Sequence, residues 1–165
     1  MIGRAAIFVF VFGALQIGWQ WTDGSTLHRW VIERGVVAPT ASLIAALTPE
    51  LGVRAKGNRL WESRGGVNIV NGCDGMETLF LLFAGFAVAP LSVRARLFGI
   101  LAGIPIVYLL NVVRILVLYY AHHTSPELFD VMHSVVTPIL MVAAICVFYY
   151  FWLRQSQQRI DGSPS

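Results

Sequence analysis

Four long apolar stretches constrain this chain more than any other feature of its sequence. Each approaches the roughly 20 helical residues that cross a hydrocarbon core about 30 Å thick. In lipid every backbone amide must be bonded within its own segment, so an open chain crosses as helices. The predicted spans cover residues 5–21, 76–91, 97–119 and 135–153.

The composition agrees with a chain that uses lipid as its solvent. Hydrophobic residues make up 56% of the chain and charged residues 13%, whereas soluble domains carry about 25% charged residues. A length of 165 residues leaves room for one membrane domain and no second soluble module. We therefore predict an all-α membrane protein with a single domain over residues 1–165.

The arginines near the spans set the expected orientation. Short cytoplasmic loops are enriched in Lys and Arg. Arginines precede the first predicted span, fill the turn between the second and third, and follow the fourth: Arg4, Arg94, Arg96, Arg154 and Arg159. The turn at residues 121–133 has no Lys or Arg and is expected outside, together with the long segment at residues 22–75.

The outer segment is expected to contain two kinds of structure. Apolar residues recur at helical spacing over residues 27–47, which predicts amphipathic helices lying in the interface. Residues 53–70 favour a short β-hairpin. The span before this segment has the basic start of a secretory signal, but its exit QIGWQWTDG offers no clear small-x-small cleavage site. We expect it to be retained as an anchor, with cleavage as the alternative.

Arg114 is the strongest anomaly in the apolar spans. A charge at the centre of a span costs roughly 2.5–3.5 kcal/mol on insertion scales. Helical rise places Arg114 about 25 Å beyond Leu97, near the outer headgroups. Asn111 lies one turn below it on the same face. A snorkelling or paired arginine is the alternative to a functional one.

Cys73 stands three residues before the second span, between Gly72 and the pair Asp74 and Gly75. The amino end of a helix stabilises a thiolate through its free amides and its dipole. Asp74 is expected to cap this helix, and Gly75 allows a tight turn or a close approach of another backbone. The alternative is an inert cysteine at a helix start.

His133 is the third chemically capable side chain expected at the outer face. Three spans, considered separately, each bring one chemically capable side chain to the same level: Cys73, Arg114 and His133. A thiol, a proton carrier and a fixed cation are the parts of acyl transfer through a thioester. A metal site with His122 and His123 is the alternative, but no HExxH or CxxC spacing supports it, so we expect no metal and no cofactor.

Two further residues are expected to have ordinary roles. Cys146 lies about 20 Å deeper than His133 by helical rise. A disulfide to Cys73 is thereby excluded, since it needs Cα atoms within about 7 Å. We expect Cys146 to pack in the core and Glu77 to be solvated or structural.

The order of these motifs resembles the exosortase and archaeosortase family of membrane cysteine proteases and transpeptidases. The motifs are Cys73-Asp74-Gly75, Asn111-Val112-Val113-Arg114-Ile115, and His133. The resemblance covers about residues 57–153, including the GNRL sequence before the hairpin. The sequence VNIVNGCDG and the short chain are most similar to the exosortase H subgroup. Asp74 departs from the Ser or Ala of many members.

The resemblance implies a catalytic set of Cys73, Arg114 and His133, supported by Asn111, Asp74 and Gly75. Its expected substrates are exported proteins whose C-terminal sorting tail joins a recognition motif, a hydrophobic span and a basic cluster. The expected place is the periplasmic face of a bacterial inner membrane, with a glycan, a lipid or water as acceptor. The rival hypothesis is a non-catalytic membrane assembly or transport subunit.

Overall fold

The protein is mostly helical, with a small sheet inserted between its third and fourth helices. A computed structural model describes residues 2–62, 65–69 and 73–161. The helices are α1 (Ile2–Trp21), α2 (Thr26–Trp30), α3 (Ala38–Leu47), α4 (Met76–Val88), α5 (Val93–Thr124), α6 (Pro126–Val131) and α7 (Thr137–Asp161). Short helical stretches of π or 3-10 type cover Val31–Val37, Pro49–Leu51 and Met132–Val136.

Within the described residues, four helical runs are long and apolar enough to cross a membrane: Ile2–Trp21, Thr26–Leu47, Val93–Thr124 and Pro126–Gln158. Three of them contain the predicted first, third and fourth spans. The second predicted span is shorter, because α4 has 13 residues and therefore rises only about 20 Å. It ends before Ala89, whose extended backbone suits a residue that precedes proline.

The run from Thr26 to Leu47 contains the expected outer helices. It is one continuous helical run and meets the length and composition of a span. Pro39 lies within this run and does not break it. The residues before this proline instead form a π-helical stretch, Val31–Val37, that carries the chain into α3. A proline lacks the amide that would bond four residues back, and a wider turn accommodates that loss.

A π-helical stretch also precedes a proline in the last helical run. The π-helical stretch Met132–Val136 ends two residues before Pro138, as Val31–Val37 ends two residues before Pro39. His133 lies inside this second stretch. Single π turns within α-helices often occur at functional sites. His133 therefore lies in a local departure from regular α-helix, close to a proline.

The expected hairpin is part of a three-stranded antiparallel sheet. Its strands are β1 (Arg54–Lys56), β2 (Arg59–Glu62) and β3 (Gly65–Asn68), in that order. Gly57 turns the chain between the first two strands with a φ of 60°. The sequence predicted a hairpin of two strands in this region, and the structure adds a third strand. Val70, Asn71 and Gly72 of the VNIVNGCDG sequence lie outside the described residues.

Helices α4, α5 and α7 pack around an apolar region that we call the inner cluster. It lies at the end of the bundle where Arg94 and Arg96 form the turn, and its buried members are Leu82, Phe86, Ala89, Leu91, Val107 and Ile145. Gly99 of α5 has no room for a Cβ beside Phe86 and Trp152. The Tyr149 hydroxyl donates to the Gly85 carbonyl at 3.0 Å, which joins α7 to α4.

The opposite end of the bundle contains a second region, the outer cluster. It joins the Thr26–Leu47 run and the sheet to the loop before α4 and the far end of α5. Its buried members are Ile32, Val36, Val37, Ala41, Ile44, Val53, Leu60, Ile69, Cys73, Ile115 and Tyr119. Cys146 belongs to neither cluster. Its side chain is exposed, so the prediction that it packs in the core was wrong.

Candidate active site

The structure brings the predicted cysteine and histidine into direct contact. Cys73 Sγ lies 3.6 Å from His133 Nδ1. Cys73 comes from the loop before α4, and His133 from the π-helical stretch before α7. The thiol is only 7% exposed. Sixty residues of chain separate the two side chains, so the contact is a product of the tertiary fold.

Gly75 shows why the cysteine is followed by a glycine at the second position. Its φ of 81° is left-handed, which favours glycine. A Cβ at this position would lie 2.8 Å from Asn111 Cγ. The Asn111 side chain donates from Nδ2 to the Cys73 carbonyl at 3.2 Å. Gly75 thus allows α5 to approach and hold the backbone of the cysteine.

The other polar atom of Asn111 is unusual. Asn111 is 3% exposed, and its Oδ1 has no hydrogen-bond partner within the described part of the chain. A buried acceptor without a donor costs about 1–3 kcal/mol. Such atoms in a folded protein call for a specific reason. Here the acceptor belongs to the side chain that holds the Cys73 backbone.

Asp74 accepts from the first amide of α4, whose N-cap residue is Gly75 and not Asp74 as predicted, and it also joins α4 to α1. Its Oδ1 accepts from the Met76 amide at 3.2 Å. Its Oδ2 accepts from the Trp19 indole at 2.9 Å. The carboxylate is buried, and these two donors satisfy it. A serine or alanine at this position would lack the second carboxylate oxygen that bonds α1.

Arg114 is held by a residue that the sequence did not single out. Its Nε donates to Thr137 Oγ1 at 3.1 Å. Thr137 is the first residue of α7 and is buried. It follows His133 by four residues, so both lie on one face of the helical run. A hydroxyl one turn after the histidine, in an otherwise apolar span, was the signal that could have identified it.

The electrostatics of the cysteine differ from the expected stabilised thiolate. Burial raises the pKa of the Cys73 thiol above its ordinary value. The Arg114 guanidinium lowers the pKa, and Asp74 and Glu77 raise it further. Desolvation is the largest of these causes and exceeds the effect of the cation. The raised pKa favours the protonated thiol at rest, and His133 Nδ1 is the ring nitrogen in contact with it.

Aromatic packing fixes the plane of the His133 ring. Phe129 lies parallel to it, with ring centroids 5.5 Å apart and an interplanar angle of 4°. His122 contacts the edge of the same phenyl ring, with centroids 5.4 Å apart. The imidazole is therefore held between this stack and the Cys73 thiol.

His123 belongs to a separate polar group. Its Nε2 lies 3.2 Å from Glu62 Oε1. The Tyr119 hydroxyl donates to Glu62 Oε2 at 2.6 Å. This contact ties strand β2 to the outer end of α5. Within the ranges that the structure describes, no three His, Cys, Asp or Glu side chains are grouped to hold a metal ion.

The fold and the site define a multi-pass helical membrane protein with a thiol–imidazole pair at one end of its bundle. A family model described as "Transmembrane exosortase (Exosortase_EpsH)" matches residues 4–152. The chain belongs to this family, as the motif order predicted. Neither a curated protein nor a solved structure matches the chain significantly. The narrower assignment to the exosortase H subgroup stays a prediction.

Proposed function

We propose that this chain is a membrane-embedded cysteine protease or transpeptidase that cleaves C-terminal sorting tails of exported proteins. The observation that carries the proposal is the 3.6 Å contact between Cys73 Sγ and His133 Nδ1. The charge of Arg114 acts on the same sulfur. A nucleophile, a base and a cation in one place support acyl transfer.

The reaction begins with proton transfer. His133 Nδ1 takes the thiol proton as Cys73 Sγ attacks the scissile carbonyl, and the carbonyl oxygen becomes an oxyanion. Arg114 stabilises that oxyanion, a role worth about 10²–10³ in rate for a single donor. When the carbon–nitrogen bond breaks, the imidazolium returns its proton to the departing amine. The products are a thioester on Cys73 and a free C-terminal anchor.

The second half of the reaction restores the enzyme. His133 accepts a proton from water or from an acceptor group as the oxygen or nitrogen attacks the thioester. The new acyl bond forms, and the sulfur leaves with a proton from the imidazolium. Water gives hydrolysis, whereas a glycan or lipid acceptor gives transfer. A protonated resting thiol suits this scheme, because its activation is coupled to the bound carbonyl.

The position of the site supports the proposed substrate class. Cys73 and His133 stand at the ends of apolar helices, so a tail anchored in the same bilayer would present its motif at their level. Confinement to the membrane raises the effective concentration of such a substrate. With the arginine-rich turns in the cytoplasm, the reaction takes place at the periplasmic face of a bacterial inner membrane.

The test uses an exported reporter that carries a candidate tail with its motif, hydrophobic span and basic cluster. Mass spectrometry of the reporter's mature C-terminus measures processing in cells that express this protein. We expect Cys73→Ala to leave the tail intact while its own level in the membrane is unchanged. Cys146→Ala is the matched control, since it removes the exposed cysteine, and should process normally.

Two outcomes would contradict the proposal. Normal processing by the Cys73→Ala form would remove the nucleophile from the mechanism. Absence of any tail-processing activity in the wild type, across tails that carry all three elements, would favour a non-catalytic assembly or transport subunit.

A further inference from the structure

An apolar groove between α5 and α7 begins at the candidate active site. Its volume is about 170 Å³. Two of its lining residues are Arg114 and the Thr137 that bonds it. The lining includes Val113, Arg114 and Val117 of α5, together with Val136, Thr137 and Leu140 of the last helical run.

The groove runs along the helices and away from the active site. Met132, Val136 and Leu140 line it at intervals of four residues. Eight residues of helix correspond to about 12 Å at 1.5 Å per residue. The first of the three directly precedes His133. One end of the groove is therefore level with the thiol–imidazole pair, and the other lies two turns deeper among apolar residues.

The groove is open at its side. Val113 is 56% exposed and Leu140 is 62% exposed, although both line it. These side chains belong to helical runs that meet the requirements of membrane spans. A partner moving in the plane of the bilayer would thus reach the groove without leaving the apolar layer.

We propose that this groove holds the hydrophobic span of the substrate's own sorting tail, directly after the scissile bond. The inference rests on the proposed function. Attack by Cys73 requires the scissile carbonyl near Arg114. The residues that follow that carbonyl must then continue from Arg114 into the membrane, which is the course of the groove. Arg114 lines the groove between its two ends, where its cation would face the one polar group that the reaction develops, the oxyanion.

The size of the groove favours a helix over a lipid chain as its occupant. An apolar cavity of roughly 150 Å³ holds a single benzene ring. The 170 Å³ here therefore fits one large apolar side chain, inserted from a neighbouring helix as a knob enters a hole. A lipid seated there would also place its headgroup over Arg114, where the carbonyl must bind.

The first experiment compares two neighbouring residues of α7. Leu140 lines the groove and is 62% exposed, whereas Ile139 is 61% exposed and does not line it. The full chain and its variants are reconstituted in phospholipid vesicles. They receive either the tail reporter or the same reporter with a Gly-Ser linker in place of the hydrophobic span, and kcat/KM is measured for both.

We expect Leu140→Trp to lower the preference for the intact tail over the linker reporter about tenfold or more, because the indole fills the groove. Ile139→Trp should leave that preference within about twofold of wild type, since its side chain is outside the contact. An unchanged preference in Leu140→Trp, or an equal loss in both variants, would overturn the proposal.

The second experiment does not depend on turnover. A photoreactive amino acid is placed at position 140 or 139 of the Cys73→Ala chain, in membranes that contain the tail reporter. We expect position 140 to crosslink to the reporter's span and position 139 to do so several-fold less. Crosslinks from position 140 to phospholipid alone would overturn the proposal, and so would equal reporter crosslinking at both positions. If position 140 crosslinks to the reporter's span but the wild-type chain does not cleave the reporter, the proposed function is refuted. The groove would still be the binding site of the span.

Discussion

The inner and outer clusters differ in what they bury. The inner cluster consists of apolar side chains, packed where Gly99 and Gly103 leave no space for a Cβ. The outer cluster includes the Cys73 thiol and adjoins the buried polar groups Asp74 and Asn111. Burying a polar group is unfavourable unless it is hydrogen-bonded. The difference teaches that one end of the bundle is built from apolar packing, whereas the other end also holds buried polar groups beside the proposed nucleophile.

Among the described residues, the one buried side-chain polar atom without a hydrogen bond also lies at the outer end. Asp74 has two donors, but Asn111 Oδ1 has none in the described part of the chain. At the inner end, Tyr149 and Trp152 both donate to backbone carbonyls. Sites that are incompletely satisfied at rest are expected where a substrate will bind. Substitutions at matched positions of the two ends test this contrast.

The largest expected effect comes from comparing Gly75→Ala with Gly99→Ala. At Gly75 the new Cβ meets Asn111 and the φ of 81° is unfavourable. Displacement of the nucleophile by about 1 Å can cost on the order of 100-fold in rate, so we expect at least that loss in tail processing with the protein still in the membrane. Gly99→Ala should instead lower the thermal midpoint and the amount of folded protein. Equal loss of folded protein in both would break the comparison.

The next effect compares two arginines that donate to oxygen atoms. Arg114→Lys keeps the charge but loses the planar fork, so we expect the rate of processing to fall roughly ten- to a hundredfold. Arg96 donates to the Leu91 and Ala87 carbonyls at the inner end. We expect Arg96→Lys to lower stability slightly. Its processing rate should stay within about twofold of wild type. A rate for Arg114→Lys that equals wild type would remove the oxyanion role.

The pH dependence of thiol alkylation should show a smaller effect. The thiolate reacts, and burial raises the pKa of Cys73, so its reaction should begin at higher pH than that of a free cysteine peptide. Arg114→Met removes the cation that lowers the pKa and should shift the profile to higher pH. Glu77→Gln removes an anion that raises it and should shift the profile to lower pH. The rate at which a membrane-impermeant reagent alkylates Cys73 is measured against pH for both variants, each in a Cys146→Ala background. A shift of either profile in the opposite direction would contradict the assigned causes of the Cys73 pKa.

The smallest effect is expected for Tyr149→Phe at the inner end. It removes the hydrogen bond to the Gly85 carbonyl, which should lower the free energy of unfolding by about 1 kcal/mol. Tail processing per folded molecule should be unchanged. A loss of processing with unchanged stability would show that the two ends are coupled.

Much of this fold could be predicted from residue order. Apolar length identified three of the four span-length runs, and helical rise placed Arg114 at the same level as Cys73 and His133. Whether the run from Thr26 to Leu47 is one helix or two could not be predicted, because a proline within an apolar stretch can either end a helix or widen one turn of it. Local sequence does not decide between these outcomes.

The environment of individual side chains was harder to predict. Thr137 was not identified as a partner of Arg114, since a hydroxyl in a span has many possible acceptors and donors. The exposure of Cys146 depends on which face of α7 meets α4 and α5. The raised pKa of Cys73 depends on how much water the surrounding elements exclude. Each of these properties is set by neighbours far away in the chain.

The sequence by itself determined that the chain enters a membrane and which side chains lie at one level of the bundle, because apolar length and helical rise are local properties. Only the tertiary structure decided that Cys73 Sγ contacts His133 Nδ1 and that Asn111 closes over Gly75. These contacts join α4, α5 and the last helical run. Their geometry depends on how the helices pack against one another, and no single stretch of residues specifies it.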